Sequence, residues 1–127
     1  MVHGMNHFTV ITDKLEETLA FYVELLGLQP GPRPDLGFAG AWLYADGKPI
    51  LHVYADRPVP PGRAGVIDHM AFSARGLSEV KAKFDARGVP YDLRQQKGSG
   101  IWQLFCHDPS GAKVELDFDP SERLEPA

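Results

Sequence analysis

Residues 6–10, Asn-His-Phe-Thr-Val, and residues 68–72, Asp-His-Met-Ala-Phe, are closely similar stretches of this chain. Each places a histidine ahead of apolar or β-branched residues that are typical of a β-strand. The two histidines, His7 and His69, lie 62 residues apart. Because similar segments at a fixed interval are the signature of a repeat, we predict that one unit of structure is present twice.

Other residues recur at nearly the same interval. His52, in Ile-Leu-His-Val, and Glu115, in Lys-Val-Glu-Leu, are 63 residues apart, so side chains able to bind a metal stand at equivalent positions of the two copies. Three further pairs support the registration, at offsets of 62, 62 and 61: Leu15 with Leu77, Tyr22 with Phe84, and Gly27 with Gly88. We expect the drift of one residue to fall in a loop.

The first copy has the pattern βαβββ. Residues 6–11 predict a strand, and an amphipathic helix of about three turns follows, capped by Thr12 or Asp13 and ended by Gly27. Its apolar stripe is Leu15, Leu19, Tyr22 and Leu26. Two strands are predicted at 40–45 and 49–55, joined by the turn Asp46-Gly47, with a shorter strand near 28–31.

The second copy repeats this order of elements. Residues 66–73 predict a strand that contains His69, and residues 77–87 predict a helix that Gly88 ends. Three strands are predicted to follow, at 89–94, 101–106 and 112–118, with residues 108–111 as the turn between the last two.

Together the patterns predict an α+β fold of two tandem βαβββ modules. A chain of 127 residues suffices for one ordinary domain but not for two independent ones, so the modules must share a core. We expect modules at 1–56 and 66–120, a proline- and glycine-rich linker at 57–65, and a tail at 121–127 without an assigned function. The strands should form one curved mixed sheet around a concave metal site, with the helices outside.

Strand alternation predicts which side chains face that concavity. The four candidate ligands should sit in the middle of their strands, on the inner face, beside small or polar side chains: Thr9, Tyr54, Ala71, Lys113 and Asp117. The alternate positions are apolar and suit packing beneath the helices: Phe8, Val10, Leu51, Val53, Met70, Phe72, Val114 and Leu116. The inner face is therefore expected to be a pocket.

Composition argues against several classes of protein. The net charge of −4 comes without any basic stripe, so neither nucleic acid nor a membrane surface is expected as a partner. We find no apolar run near the ~20 residues that span a bilayer and no signal peptide, and we expect a cytoplasmic protein. The single cysteine, Cys106, permits no internal disulfide and no structural zinc knuckle.

The four repeated side chains predict a divalent-metal site: His7, His52, His69 and Glu115. Imidazole nitrogen and carboxylate oxygen suit Zn, Mn, Fe(II), Co or Ni. Four ligands leave two positions of an octahedron open for a small substrate, whose enolate or alkoxide the metal would stabilise as a Lewis acid. The alternative is that the histidines are ordinary strand residues and Glu115 is a hydrogen-bonded surface acid.

A family resemblance rests on motifs along nearly the whole chain: 6–10, Phe-Tyr at 21–22, Leu-Leu-Gly at 25–27, 68–72, and the run from Phe105 to Leu116. They resemble the vicinal oxygen chelate superfamily, which includes glyoxalase I, methylmalonyl-CoA epimerase, fosfomycin-resistance thiol transferases, extradiol dioxygenases and metal-free bleomycin-binding proteins. Residues 40–44 and 49–52 are most similar to small glyoxalase-I-like proteins. The resemblance implies paired βαβββ modules and metal ligands at His7, His69 and Glu115.

His52 departs from the family pattern, since glyoxalase I has glutamate at the matching position and the epimerase has glutamine. If His52 binds the metal, we expect a glyoxalase-I-like lyase or isomerase, in which Glu115 is the general base and His52 is a ligand and partner acid. If His52 stands off the metal, an extradiol-type dioxygenase with Fe(II) on His7, His69 and Glu115 becomes credible.

A third hypothesis is a bleomycin-resistance-like protein that binds a planar small molecule without catalysis. The substrate pocket is predicted to include Thr9, Trp42, Tyr54, Gln103 and Phe105, and aromatic residues could line its groove. Small members of the superfamily are commonly homodimers, so we expect a homodimer, with metal sites either within one chain or shared between chains.

Overall fold

The computed structural model describes residues 1–62 and 65–126. Backbone contacts divide the chain into two compact units, Met1–Pro61 and Gly62–Ala127. The boundary lies inside the proline- and glycine-rich stretch 57–65, of which residues 63 and 64 are outside the described residues.

The first unit is one four-stranded mixed sheet with one helical segment. Its elements are β1 Phe8–Ile11, α1 Leu15–Leu19 continuing as a π-helical segment Ala20–Leu25, β2 Gln29–Gly31, β3 Gly40–Ala45 and β4 Lys48–Tyr54. The strand order is β1-β4-β3-β2, and β1 is parallel to β4 while the other pairs are antiparallel. The chain therefore crosses over through the helix to bring its first and last strands together.

The second unit repeats this topology. Its elements are β5 Met70–Ala74, α2 Leu77–Arg87, β6 Asp92–Gln95, β7 Trp102–His107 and β8 Lys113–Phe118. The strand order is β5-β8-β7-β6, with β5 parallel to β8 and the other pairs antiparallel. The predicted α+β fold of two βαβββ modules is confirmed, and its strands are hydrogen-bonded as two four-stranded sheets where we had expected one curved sheet.

The histidines at the start of each module were wrongly placed by the strand pattern. His7 and His69 each lie one residue before the strand, since the parallel ladders begin at Phe8 with Leu51 and at Met70 with Val114. Each histidine is therefore at a strand end, where the side chain is less constrained by cross-strand neighbours. His52 and Glu115 do lie within strands, as predicted.

The first helix also departs from the regular pattern. The backbone N–H of Leu26 donates to the carbonyl of Phe21, five residues back, which is the bond of a π-helix. In this wider turn Phe21, Tyr22 and Leu25 are buried, whereas the predicted stripe relied on Leu19 and Leu26. The one-residue drift of the repeat falls here, between Tyr22 and Gly27, and not in a loop as we had expected.

The start of this helix uses a threonine in a different way from the predicted cap. The N-cap residue is Lys14, without a side-chain cap. Thr12 is fully buried, and its Oγ1 accepts the backbone N–H of Lys14 at 2.8 Å and lies 2.9 Å from Oγ1 of Thr18. In the described part of the chain, no helix is long and apolar enough to cross a membrane.

Two local predictions are confirmed residue by residue. Asp46 and Gly47 have φ values of 50° and 77°, so both central residues of the β3–β4 hairpin adopt the left-handed conformation that a tight two-residue turn requires. Helix α2 spans Leu77–Arg87 and ends at Gly88, whose φ of 64° provides the left-handed C-terminal turn.

The C-terminal tail has a structural role that the sequence did not reveal. The carboxylate of Glu122 accepts the backbone N–H of Leu77 at 2.7 Å and that of Gly76 at 3.1 Å. It thereby satisfies donors at the start of α2 that have no partner within the helix and places a negative charge at the helix N-terminus. The backbone carbonyl of Glu122 also accepts the indole N–H of Trp102 at 2.9 Å, so the tail is fixed to the second sheet as well.

Candidate metal centre

In the first unit, the alternation of β4 sends His52 to one face of the sheet and its neighbours Leu51 and Val53 to the other. Both neighbours are fully buried, and His52 itself is 7% exposed. In the sheet His52 pairs with Thr9 of β1 and with Trp42 of β3. The predicted division between an apolar face and a face with candidate ligands therefore holds in this unit.

The His52 ring lies between two other rings. The ring of His7 stacks on it at 3.8 Å between centroids and 14° between planes, and the indole of Trp42 stacks at 4.1 Å and 9°. Both faces of the His52 imidazole are thus covered, so a ligand can approach its nitrogen atoms only in the plane of the ring.

The residues that precede the two module-starting histidines hold the same imidazole nitrogen in each unit. His7 Nδ1 donates to Asn6 Oδ1 at 2.7 Å, and His69 Nδ1 donates to Asp68 Oδ2 at 2.8 Å. In metal sites the second imidazole nitrogen is commonly fixed by an oxygen acceptor of this kind, which orients the ring and leaves the other nitrogen for the metal. Nε2 is therefore the candidate ligand atom of both histidines.

In the second unit, Glu115 lies next to one of these histidines. Glu115 is 6% exposed, and its Oε1 lies 2.9 Å from His69 Nε2. Its other oxygen, Oε2, accepts the side-chain N–H of Gln103 at 3.1 Å, while Gln103 Oε1 accepts from Arg94 Nε at 3.3 Å. A chain of hydrogen bonds from Arg94 through Gln103 thus orients the Glu115 carboxylate towards His69.

Asp117, two residues further along β8, forms a coupled pair with Glu115. A hydrogen bond from Asp117 lowers the pKa of Glu115, assisted by the contacts with Gln103 and His69. Burial, and then the hydrogen bond and charge of Glu115, raise the pKa of Asp117 to about 6. Asp117 Oδ1 is buried, and no donor in residues 1–62 or 65–126 reaches it. The pair therefore favours one shared proton, held on Asp117.

The environment of His52 favours its neutral form. Burial is the largest cause that lowers its pKa, and the nearby positive charges of His7 and Arg33 lower it further, against a smaller opposing effect of the backbone at Pro49. A neutral imidazole has the free lone pair that a metal ligand needs.

These donors fit a divalent ion chemically, because neutral imidazole nitrogen with one carboxylate oxygen suits borderline and hard cations. Within each unit, as far as its described residues go, two of the predicted ligands lie close together: His7 with His52, and His69 with Glu115. Neither unit on its own gathers three or more His, Cys, Asp or Glu side chains able to hold a metal within the described ranges. The four-residue set stays a prediction.

The predicted pocket residues lie beside the candidate ligands of their own unit. In the first unit, Thr9 and Trp42 are the sheet partners of His52, and Tyr54 is two residues along the same strand. In the second unit, Gln103 donates to Glu115, and the Phe105 ring lies edge-on to His69 at 6.1 Å between centroids.

Comparison with known proteins identifies the family. Residues 4–116 match the model of the Glyoxalase/Bleomycin resistance protein/Dioxygenase superfamily. The chain belongs to this superfamily. A superfamily relative in Arabidopsis thaliana, named Glyoxylase I 4, is 32% identical over 120 residues, which cover 89% of this chain and 69% of the relative.

Solved structures of the superfamily show the same fold. A glyoxalase family protein from Bacillus anthracis superimposes with a TM-score of 0.77 at 21% identity, over 94% of this chain and 97% of that one. A mutant of the fosfomycin resistance protein FosX from Listeria monocytogenes, complexed with Mn(II) and 1S,2S-dihydroxypropylphosphonic acid, superimposes with a TM-score of 0.73 at 18% identity, over 94% of both chains.

Proposed function

We propose that this superfamily member is a divalent-metal-dependent enzyme of the glyoxalase I type, a lyase or isomerase whose substrate chelates the metal through oxygen atoms. The observation that carries the metal part of the proposal is the matched pair of hydrogen bonds from His7 to Asn6 and from His69 to Asp68, which leave each Nε2 available as a ligand. The similarity to Glyoxylase I 4 and the Mn(II) bound in FosX are consistent with it.

His7, His52, His69 and Glu115 would hold the metal ion. When bound, such an ion supplies Lewis-acid polarisation of a substrate carbonyl, which makes the adjacent C–H more acidic. His52 suits the ligand role because its lowered pKa favours the neutral ring. The same lowered pKa argues against His52 as a partner acid, since an imidazole that loses its proton readily is seldom protonated near neutral pH.

Glu115 would be the general base that takes the substrate proton. Its lowered pKa keeps it ionised, and Gln103 holds one of its oxygens while the other faces His69. Asp117 is the adjacent group that can share the proton which Glu115 receives, because the two carboxyls already form a hydrogen-bonded pair with one proton favoured. Proton transfer requires this hydrogen-bond reach before any matching of pKa values.

Metal content and oxygen dependence together test the proposal. Elemental analysis of anaerobically purified protein should find a stoichiometric divalent metal, and turnover of a hemithioacetal should proceed without O₂. Glu115→Gln should lose turnover, whereas His3→Ala, in the exposed N-terminal segment, should not. Oxygen uptake with catechols would instead establish a dioxygenase, and saturable binding of a planar ligand by a protein without metal would establish a binding protein.

A further inference from the structure

The guanidinium group of Arg33 has donors without acceptors. Its Nε and Nη2 atoms are buried, and neither has a hydrogen-bond partner. These two nitrogens share one edge of the planar guanidinium, the edge whose two N–H groups match the two oxygens of a carboxylate or phosphate. Burying such donors without an acceptor is unfavourable, so this edge is a candidate for a ligand oxygen pair.

The repeat explains why Arg33 has no internal partner. Arg94 stands 61 residues later, at the offset seen between Gly27 and Gly88, and its Nε donates to Gln103. The residue 61 positions before Gln103 is Trp42. An indole offers an N–H donor but no acceptor, so the arginine of the first unit faces a neighbour that cannot accept its hydrogen bond.

Trp42 adds a further unpaired donor next to His52. Its Nε1 is buried without a partner, and its ring stacks on His52 at 4.1 Å. The charge of Arg33 reaches the same place, since it contributes to the lowered pKa of His52. Three buried N–H donors therefore lie around one face of the first sheet without an acceptor to balance them.

A second guanidinium strengthens the positive field. The Arg33 and Arg57 guanidiniums lie 5.0 Å and 4.9 Å from the centroid of the same ring, Phe38, and Arg57 also lies 5.3 Å from the Tyr54 ring. No acidic side chain within residues 1–62 and 65–126 forms an ion pair with either arginine. Two like charges on one aromatic ring favour an anion that neutralises them.

We propose that Arg33, with Trp42 and Arg57, forms an anion-binding subsite beside His52 that receives a carboxylate or phosphate group of the substrate. The proposal rests on the proposed function only in assigning the anion to the substrate. The subsite itself needs no metal. A ligand of this class supplies acceptors alone, which complements a group of side chains that are donors alone.

The test uses the full chain with Trp102→Phe, so that Trp42 is the single indole and reports on its own surroundings. Sodium phosphate and sodium succinate are titrated separately at constant ionic strength, with sodium chloride as the reference. We expect a saturable change in Trp42 fluorescence with at least one of the two anions. Phosphate alone would indicate a phosphoryl group on the substrate, and succinate alone a carboxylate.

Substitution of the arginines then assigns the site. Arg33→Gln should raise Kd about 10-fold or more, the loss expected for a charge-assisted hydrogen-bond pair, and Arg57→Gln should raise it by a smaller factor. Arg75→Gln removes an exposed charge of the second unit and should leave Kd unchanged. If Arg33→Gln does not fold, Arg33→Lys keeps the charge without the paired edge and should still bind several-fold more weakly.

Two results would overturn the subsite. One is the absence of a saturable change with both anions, and the other is unaltered affinity in a folded Arg33 variant. Because the titration needs no metal or turnover, anion binding by a protein that fails the metal and activity tests would leave the subsite standing and reject the proposed function.

Discussion

Replacing Asp117 by asparagine should stabilise the metal-free protein at neutral pH. The pKa of Asp117 is about 6, against an ordinary value of 3.8, because the carboxyl is buried beside Glu115. At roughly 1.4 kcal/mol for each pKa unit, ionising Asp117 in the folded protein costs up to about 3 kcal/mol of unfolding free energy. Asparagine cannot ionise, and its amide N–H can still donate to Glu115, so it imitates the protonated acid.

The pH dependence gives the sign of the effect. A raised pKa means that the folded state holds the proton more tightly than the unfolded chain does, so the contribution to stability is fully present below about pH 4. It is lost as pH rises through about 6. The advantage of Asp117→Asn over the wild type should therefore be small near the lower pH and reach about 1–3 kcal/mol at neutral pH.

Urea unfolding of the chelator-treated proteins across this pH range measures the difference in unfolding free energy directly. Other titrating groups largely cancel in the comparison of variant with wild type. Asp92→Asn, at an exposed position of β6, serves as the matched control and should show no such trend. A difference for Asp117→Asn that stays constant with pH, or that shrinks as pH rises, would refute the assignment of the shared proton to Asp117.

The other expectations concern the tail, the ligand environment and the assembly. Glu122→Ala should destabilise the protein by about 1–2 kcal/mol in chemical denaturation because it removes the acceptor at the start of α2, whereas Glu122→Gln retains an acceptor and should cost less. Gln103→Leu should weaken metal binding about 10- to 100-fold in calorimetry by releasing the Glu115 carboxylate, and Gln29→Leu, at an exposed strand position, should not. Mixing inactive His7→Ala and Glu115→Ala proteins should restore activity if metal sites are shared between the chains of a homodimer, while sites within one chain would leave the mixture inactive.

Local patterns predicted the fold well where a few neighbouring residues determine the backbone. The bounds of α2 follow from its spacing and its terminal glycine, and the β3–β4 turn follows from Asp46-Gly47. The strand containing His69 was extended too far, because apolar composition continues beyond the point where the ladder with β8 begins. The first helix was misjudged because the apolar stripe assumed 3.6 residues per turn throughout.

The candidate site was predictable in its identities more than in its interactions. The offset of the repeat found the two histidines that precede β1 and β5, yet the hydrogen bonds from their Nδ1 atoms depend on side-chain rotamers. Asp117 shares a face of β8 with Glu115 by strand alternation, so its position was predictable. Its raised pKa was not, because it depends on burial. The unpaired edge of Arg33 depends on which residue faces it across two strands, and sequence spacing alone does not indicate that.

The π-helical segment Ala20–Leu25 indicates how the two halves have diverged in length. From Tyr22 to Gly27 the first half has five steps along the chain, and from Phe84 to Gly88 the second has four. A π-turn absorbs one inserted residue while the backbone on either side keeps its course. The insertion or deletion that separates the duplicated halves was thus confined within a single helical turn, and β1 and β4, which carry the first half's share of the candidate site, did not have to change register.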